Sequence, residues 1–213
     1  MERDELTYYA PAEIEKRSFE IITKELETIP HEEWEESTAL VIKRVIHTTA
    51  DFSYAENLKF SEGAVEKAIR YLREGASIVT DTSMAMAGIN KKKLAELGGS
   101  VHCFMADEEV AKEAKQRGVT RATVSMERTA ALGEDFIYAV GNAPTALVTL
   151  YDLVKAGRLH PKLIIGVPVG FVNVVEAKNL IMQLEVPYIV ARGRKGGSNV
   201  AAAICNALMY QIL

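Results

Sequence analysis

Three short apolar runs in the second half of this chain each lead directly into a turn rich in glycine. The three pairs of run and turn are Phe136–Val140 with Gly141-Asn-Ala-Pro-Thr145, Leu163–Ile165 with Gly166-Val-Pro-Val-Gly170, and Tyr188–Val190 with Ala191-Arg-Gly-Arg-Lys-Gly-Gly-Ser198. A helix-like stretch follows each turn, and this series of strand, turn and helix is typical of a parallel α/β sheet. Ligands of such sheets bind beyond the carboxyl ends of the strands, so we expect the peptide N–H groups of these turns to face an anion.

The length of 213 residues fits a single α/β domain over residues 1–213. Residues 1–74 are predicted to be mostly helical, with helices that begin at Pro11, after Pro30 and near Ser61. Residues 75–213 are predicted to alternate strands and helices. The further predicted strands are Ser77–Thr80 and Val101–Met105, and the further predicted helices are Asp107–Gln116, Thr120–Ala131, Pro144–Lys155, Val174–Leu184 and Ser198–Ile212. The last helix is rich in alanine, which permits close packing on the sheet or on a partner subunit.

The composition indicates which binding partners and which cellular compartment to expect. The net charge of −4 disfavours nucleic acid, whose binding proteins usually carry a basic surplus. Two cysteines, Cys103 and Cys205, are too few for a disulfide framework, so we expect a reducing cytoplasm. The charged start Met1–Glu5 predicts no signal peptide, and the lack of a run of about 18 apolar residues predicts no membrane span.

The motifs of several enzyme classes are missing from the sequence. Gly193-Arg-Lys-Gly196 lacks the spacing of a Walker loop, and no Gly-x-Gly-x-x-Gly follows the first predicted strand of the alternating part. No Gly-x-Ser-x-Gly nucleophile elbow occurs. His102 and Cys103 are neighbours in a predicted strand and so face opposite sides, which argues against a metal pair. A nucleotide-dependent or metal-dependent enzyme is therefore disfavoured.

One histidine stands out by its position. His47 ends a mostly apolar helical stretch, and Arg44 lies three residues before it on the same helical face. An imidazole beside a fixed cation can donate a proton near neutral pH. A histidine near the C-terminal end of a helix also simply stabilises that helix when protonated, so both interpretations stay open.

Several segments together resemble the precorrin-8X methylmutase family of cobalamin biosynthesis, including its cobalt-precorrin-8 counterpart. The resemblance spans nearly the whole chain, in the order of the family's segments. They are Arg17-Ser-Phe-Glu-Ile-Ile22, Arg44-Val-Ile-His47, Asp81-Thr-Ser-Met84 with Gly88-Ile89, Gly141-Asn-Ala-Pro-Thr-Ala-Leu147, Gly166-Val-Pro-Val-Gly-Phe-Val172, Glu176-Ala-Lys178 and Gly193-Arg-Lys-Gly-Gly-Ser198. Glu176-Ala-Lys178 departs from the expected Glu-Ser-Lys.

The resemblance implies a parallel α/β sheet with helices on both faces, in a homodimer whose clefts are shared between the subunits. It implies an isomerase that moves a methyl group from C-11 to C-12 of ring C, giving hydrogenobyrinate or cobyrinate, without a cofactor. His47 matches the family's active-site histidine and Arg44 its flanking arginine. Ser18 matches a substrate-contacting serine, and Arg121 matches a cleft arginine.

The implied substrate is a flat corrin precursor edged with carboxylates. Arg192, Arg194 and Lys195 supply positive charge for them in the third turn, and arginine can bind both oxygens of one carboxylate. Asn142 is a candidate substrate contact that could equally cap the helix at Pro144. His47 is expected to protonate the ring C nitrogen. The alternative function is a non-catalytic tetrapyrrole carrier, which would need the binding slot but not the acid.

Overall fold

The computed structural model describes residues 10–132 and 136–212. Met1–Glu5, on which the expectation of no signal peptide rests, lies outside them. Within the described residues the strands are β1 (Leu58–Phe60), β2 (Ile78–Thr80), β3 (Val101–His102), β4 (Ile137–Val140), β5 (Leu163–Gly166) and β6 (Tyr188–Ala191). The helices are α1 (Pro11–Leu26), α2 (Glu36–Thr49), α3 (Tyr54–Asn57), α4 (Ala64–Arg73), α5 (Ser83–Gly88), α6 (Lys91–Glu96), α7 (Glu108–Arg117), α8 (Arg121–Ala131), α9 (Pro144–Lys155), α10 (Val174–Ile181) and α11 (Ser198–Tyr210).

The strands form one sheet in the order β1-β6-β5-β4-β2-β3. Strands β2 to β6 pair in parallel, and β1 adds an antiparallel edge in which Leu58 lies opposite Ala191. The carboxyl ends of the parallel strands therefore lie along one edge of the sheet. We call the segments that follow β2, β4, β5 and β6 the carboxyl rim; they are Asp81–Thr82, Gly141–Ala143, Val167–Val172 and Arg192–Gly197.

Each face of the sheet is covered by helices, as the resemblance implied. Side chains alternate along β4, so Ile137 and Ala139 enter one core while Tyr138 and Val140 enter the other. Helices α2, α4, α5 and α11 contribute to the first core, and α8, α9 and α10 contribute to the second. Among the described residues, no helix is both long and apolar enough to cross a membrane.

The alanine-rich helix α11 packs inside the chain. Its residues from Val200 to Cys205 are all buried, and its main helical neighbours are α2 and α5. The approach to α5 is close, because a Cβ added to Gly88 would lie 2.8 Å from the Cβ of Ala202. Of the two alternatives for this helix, packing within the chain is the one observed. Tyr210 at its end is exposed.

Most predicted elements are confirmed. Helix α9 has the predicted bounds, and α7 ends at Gly118, whose φ of +68° suits a glycine C-cap. The ambiguous segment after Thr120 is helical, as favoured.

The described part of residues 1–74 is mostly helical, and two of its details differ from the prediction. The edge strand β1 interrupts it, since three residues are too few to show a strand pattern. Helix α2 begins at Glu36 rather than after Pro30, and the segment before it is held by side chains. Glu32 there binds Lys59 of β1 at 3.0 Å, and His31 stacks on Trp34 with ring centres 3.9 Å apart.

Candidate active site

A buried carboxylate closes the turn between β4 and α9. Asp81 follows β2 and is fully buried. Its Oδ1 accepts a hydrogen bond from the N–H of Gly141 at 2.8 Å, and its Oδ2 accepts from Asn142 at 2.8 Å and Ala143 at 2.6 Å. Burial raises the pKa of Asp81, and the three N–H donors act against that rise. The expectation that this turn offers its N–H groups to a ligand is wrong, because Asp81 already occupies them.

The same turn is pressed against the start of α11. A Cβ on Gly141 would lie 2.7 Å from the Cα of Ser198, so only glycine fits without movement of the backbone. The hydroxyls of Thr82 and Ser198 are hydrogen-bonded at 2.8 Å, which ties the end of β2 to the same helix. The side chain of Asn142 is exposed and does not cap α9, whose N-cap is Ala143. Asn142 thus stays a candidate substrate contact.

The β6–α11 loop, Arg192–Gly197, is fixed by backbone hydrogen bonds at both ends. The N–H of Arg192 donates to the carbonyl of Asn57 at 2.7 Å, and the N–H of Gly197 donates to that of Val167 at 2.8 Å. Gly196 packs so tightly on β5 that an added Cβ would lie 2.1 Å from the carbonyl oxygen of Val167. The loop is therefore a rigid part of the rim.

One cation of this loop is neutralised within the chain. Lys195 Nζ lies 2.6 Å from Asp51 Oδ2 and 2.9 Å from the hydroxyl of Ser53. Burial acts to raise the pKa of Asp51, but the hydrogen bonds from Lys195 and Ser53 outweigh it and lower that pKa. That Lys195 supplies charge for a ligand stays a prediction, and a ligand carboxylate there must share or replace Asp51. The pair of Lys195 and Asp51 also joins the loop to the segment that follows α2.

Arg192 and Arg194 are exposed in the same loop. Neither forms an ion pair with any described residue. The guanidinium of Arg194 lies 5.5 Å from the ring centre of Phe171, which is 82% exposed. The two arginines therefore present charge at the rim beside an exposed aromatic ring.

His47 and Arg44 line one open groove, as their spacing predicts. The groove has a volume of about 690 Å³ and is also lined by Ile14, Glu15 and Tyr210. The exposed His47 lies in the last turn of α2, which ends at Ala50 in a left-handed conformation with φ of +53°. Its position four residues before Asp51 places it next to the segment that Lys195 binds.

Aromatic rings hold both of these side chains. The imidazole of His47 stacks on Phe19 with ring centres 5.4 Å apart. The guanidinium of Arg44 lies 4.7 Å from the ring centre of Phe19 and 5.6 Å from that of Tyr210. Arg44 also forms an ion pair with Glu15 at 2.5 Å. The imidazole thus lies against an aromatic ring and beside the Arg44 cation, at the wall of the open groove.

Ser18 lies on α1, next to Phe19. Its hydroxyl donates to the carbonyl of Ile14 at 2.9 Å, and the side chain is half-buried. Because Ser18 follows Ile14 by four residues, it shares the helical face that reaches the groove of His47. The hydroxyl oxygen can still accept a further hydrogen bond there.

Arg121 and Asn142 lie elsewhere on the rim. Arg121 is exposed at the start of α8, whose cap Thr120 is hydrogen-bonded to Thr145 of α9 at 2.9 Å. The strand order places β5 between β4 and β6, so the turn that carries Asn142 and the β6–α11 loop follow strands that are not neighbours. The predicted residues thus fall into two groups within one chain, one near α2 and β6 and one near β4.

An exposed apolar segment lies between these two groups. It is the β5–α10 segment, in which Val169 is 48%, Phe171 82% and Val172 77% exposed. Met84 at the start of α5 is 72% exposed as well. Such exposed apolar side chains mark a surface that a ligand or another chain covers.

Sequence reasoning missed the residues that position the site. Asp81 was detectable as an acid directly after an apolar strand. Phe19 and the buried Lys178 lie in segments that carry the resemblance, but their partners, like those of Tyr210, are distant in the chain and leave no local pattern. Among the described residues, no group of three or more His, Cys, Asp or Glu side chains is arranged to hold a metal ion.

Comparison with known proteins gives one consistent family. Residues 13–211 match the family model described as precorrin-8X methylmutase. The cobalt-precorrin-8 methylmutase of Salmonella typhimurium is 42% identical over 207 residues, which cover 95% of this chain and 96% of that protein. The cobalt-precorrin-8 methylmutase of Priestia megaterium is 41% identical over 198 residues, covering 93% and 87%.

A solved structure also matches the fold. The crystal structure of a precorrin-8X methylmutase from Thermus thermophilus superposes with a TM-score of 0.84 at 38% identity. The match covers 93% of this chain and 96% of that one.

The role of Asp81 gives a prediction for stability. Asp81→Asn keeps the shape of the side chain but turns an NH₂ donor towards N–H donors of the β4–α9 turn. Each N–H left without an acceptor costs about 1–3 kcal/mol. We expect urea unfolding, followed by circular dichroism, to show a loss in that range. Asp152→Asn on the exposed side of α9 is the control and should stay within about 0.5 kcal/mol of wild type. Equal stability of the two variants would contradict this role of Asp81.

Proposed function

This chain belongs to the precorrin-8X methylmutase family, and from that premise we propose that it is an isomerase of cobalamin biosynthesis. It moves a methyl group from C-11 to C-12 of ring C in precorrin-8X or cobalt-precorrin-8, giving hydrogenobyrinate or cobyrinate. The observation that carries this proposal is the family match over residues 13–211. The relatives named as methylmutases make a carrier without catalysis the disfavoured alternative.

The carboxyl rim and the His47 groove form the proposed binding surface. Arg192, Arg194 and Arg121 are exposed cations that bind the peripheral carboxylates of the macrocycle. Apolar side chains of the β5–α10 segment that the proposed dimer leaves uncovered contact its flat face. Arg44 is already paired with Glu15, so a substrate carboxylate must share or replace that partner.

The proposed chemistry needs one proton donor. A methyl shift between neighbouring carbons releases no ionic leaving group, so nucleophilic machinery is not required. Protonation of the ring C nitrogen draws electron density from the migrating centre and stabilises the rearranged corrin. His47 is the proposed acid, supported by its place in the groove and by the stacking on Phe19 that fixes its plane.

We propose further that the enzyme acts in the cytoplasm as a homodimer whose clefts are completed by both chains. The exposed apolar β5–α10 segment supports an interface on the rim. Helix α11 does not support it, since that helix is buried within the chain. The two unpaired cysteines are consistent with a reducing compartment.

The reaction is tested by incubating the purified protein with precorrin-8X and, separately, with cobalt-precorrin-8. Turnover is measured by the change in the absorption spectrum as the corrin product forms. Mass spectrometry should show that the product has the same mass as the substrate. Conversion of either substrate supports the isomerase. Binding of both without conversion would leave the tetrapyrrole carrier as the function.

His47→Ala should abolish most turnover while it preserves binding. General acid catalysis contributes typically about 10²–10⁴-fold to a rate, and the loss should appear in kcat because the acid acts in the transition state. Affinity for the product, titrated by absorption, should stay within about tenfold of wild type. The control is His160→Ala, an exposed histidine between α9 and β5, which should behave as wild type. Near-normal turnover of the His47 variant would remove it from the mechanism.

Arg194→Ala should weaken binding rather than the chemical step. Loss of an exposed cation should raise KM severalfold with kcat nearly unchanged, because its attraction to a carboxylate is present before and during the reaction. The defect should shrink at high salt, which screens the wild-type interaction. Arg73→Ala in the last turn of α4 is the matched control. A collapse of kcat at constant KM would instead place Arg194 in the rearrangement.

The homodimer predicts twice the mass of the 23.4 kDa chain in sedimentation equilibrium. Val172→Glu puts a charge into the exposed apolar segment and should shift the protein to monomer. Leu132→Glu changes an apolar side chain that is 50% exposed at the end of α8 and should leave the dimer intact. A wild-type protein that is a fully active monomer would contradict the proposal.

A further inference from the structure

A lysine is completely buried beneath the carboxyl rim. Lys178 lies on α10 with none of its surface exposed. Its Nζ donates to the carbonyl oxygens of Gly193 and Lys195, each at 2.8 Å. Both carbonyls belong to the β6–α11 loop, on either side of Arg194. No described carboxylate pairs with Lys178.

The two hydrogen bonds set the direction of two peptide planes. In a trans peptide the C=O and the following N–H point in opposite directions, and no cis peptide occurs among the described residues. Because the carbonyls of Gly193 and Lys195 point to the buried ammonium, the N–H groups of Arg194 and Gly196 point away from it. Neither N–H has an acceptor among the described residues. Lys178 thus turns peptide donors outward on both sides of the Arg194 side chain.

The geometry points to Lys178 as a positioning residue that sets the substrate-binding conformation of the β6–α11 loop. This role deepens the proposed function and rests on it. Backbone hydrogen bonds of Arg192 and Gly197 fix the two ends of the loop, and in its middle only the side chain of Lys195 is held by other described residues. Gly193 and Gly196 carry no side chain, and Arg192 and Arg194 are exposed. The buried ammonium of Lys178 below the loop holds this middle part in place. It also leaves the arginines free for the carboxylates of the macrocycle.

Stability alone does not explain a lysine at this place. Burial lowers the pKa of Lys178 to about 8. At neutral pH the amine is therefore still protonated in the folded protein, where the loss of hydration opposes the charge. A methionine has a similar length and volume without this cost. The advantage of the lysine lies in the two carbonyls that it holds.

Lys178→Met separates positioning from folding. We expect KM to rise about tenfold, kcat to change less than about threefold, and affinity for the corrin product, titrated by absorption, to fall in parallel with KM. Thermal unfolding should occur below the wild-type temperature, because the carbonyls of Gly193 and Lys195 both lose their donor. Ile181→Met, which alters a buried side chain three residues further along α10, is the control and should leave KM unchanged. Lower thermal stability at unchanged KM would overturn the proposal, because the lysine would then serve the fold alone.

Two measurements report on the loop without any substrate. Trypsin cleaves after Arg192, Arg194 and Lys195, so cleavage there should be faster in Lys178→Met than in wild type or in Ile181→Met. Hydrogen exchange at the N–H of Gly197, which donates to Val167, should also be faster. Unchanged cleavage and exchange would overturn the proposal. These two results stand even if the wild-type protein converts neither precorrin, which would refute the proposed function but not the ordering of the loop.

A second variant covers the case in which Lys178→Met does not fold. Lys178→Gln has a side chain one atom shorter that keeps two N–H donors. Its KM and its sensitivity to trypsin should therefore rise together, with KM less than tenfold above wild type. A folded Lys178→Gln protein with wild-type loop protection and a tenfold higher KM would overturn the proposal, because the effect on binding would then not pass through the loop.

Discussion

Hydrogen bonds between buried charged side chains and backbone groups hold the carboxyl rim of this protein together. The carboxylate of Asp81 accepts from three peptide N–H groups after β4, and the ammonium of Lys178 donates to two carbonyls after β6. Glycine-rich turns have few side chains with which to pack, so their shape must be fixed through the backbone. A buried ion does this well, because a charged partner makes a stronger hydrogen bond than a neutral one. Both ions belong to the chain itself and persist without ligand.

These hydrogen bonds give the glycine-rich turns a different role from the one that such turns often have in α/β proteins. In many α/β proteins such turns offer their N–H groups to a bound anion, but here the turn after β4 is already closed by Asp81. The turn after β6 instead presents Arg192 and Arg194, while Lys195 forms an ion pair with Asp51. We therefore expect recognition of a substrate with many carboxylates to rest on the exposed arginines and on the N–H groups that point away from Lys178, while the N–H groups after β4 maintain the geometry of the rim.

The sequence predicts the architecture well and the site in part. Strand, turn and helix recur clearly enough after residue 75 to place most elements, and the spacing of Arg44 and His47 correctly puts them on one helical face. The short edge strand Leu58–Phe60 is too brief to carry a pattern. The pairs Glu15 with Arg44 and Asp51 with Lys195 join residues far apart in the chain, and local periodicity contains no information about such partners. For that reason the pairing of Lys195 with Asp51 is seen only in the three-dimensional structure.

A methyl migration within one molecule asks more of positioning than of reactive groups. The reacting atoms are already bonded within the macrocycle, so the enzyme gains most by holding the ring in a reactive shape and by delivering one proton to a fixed atom. Both tasks require a surface that moves little when the substrate arrives. Phe19 holds the plane of His47, Asp51 joins the end of α2 to the β6–α11 loop, and Lys178 fixes that loop from below. The proposed proton donor and the arginines are thereby linked through the end of α2 and the β6–α11 loop, so we expect a carboxylate bound at the rim to set the distance of the ring C nitrogen from His47.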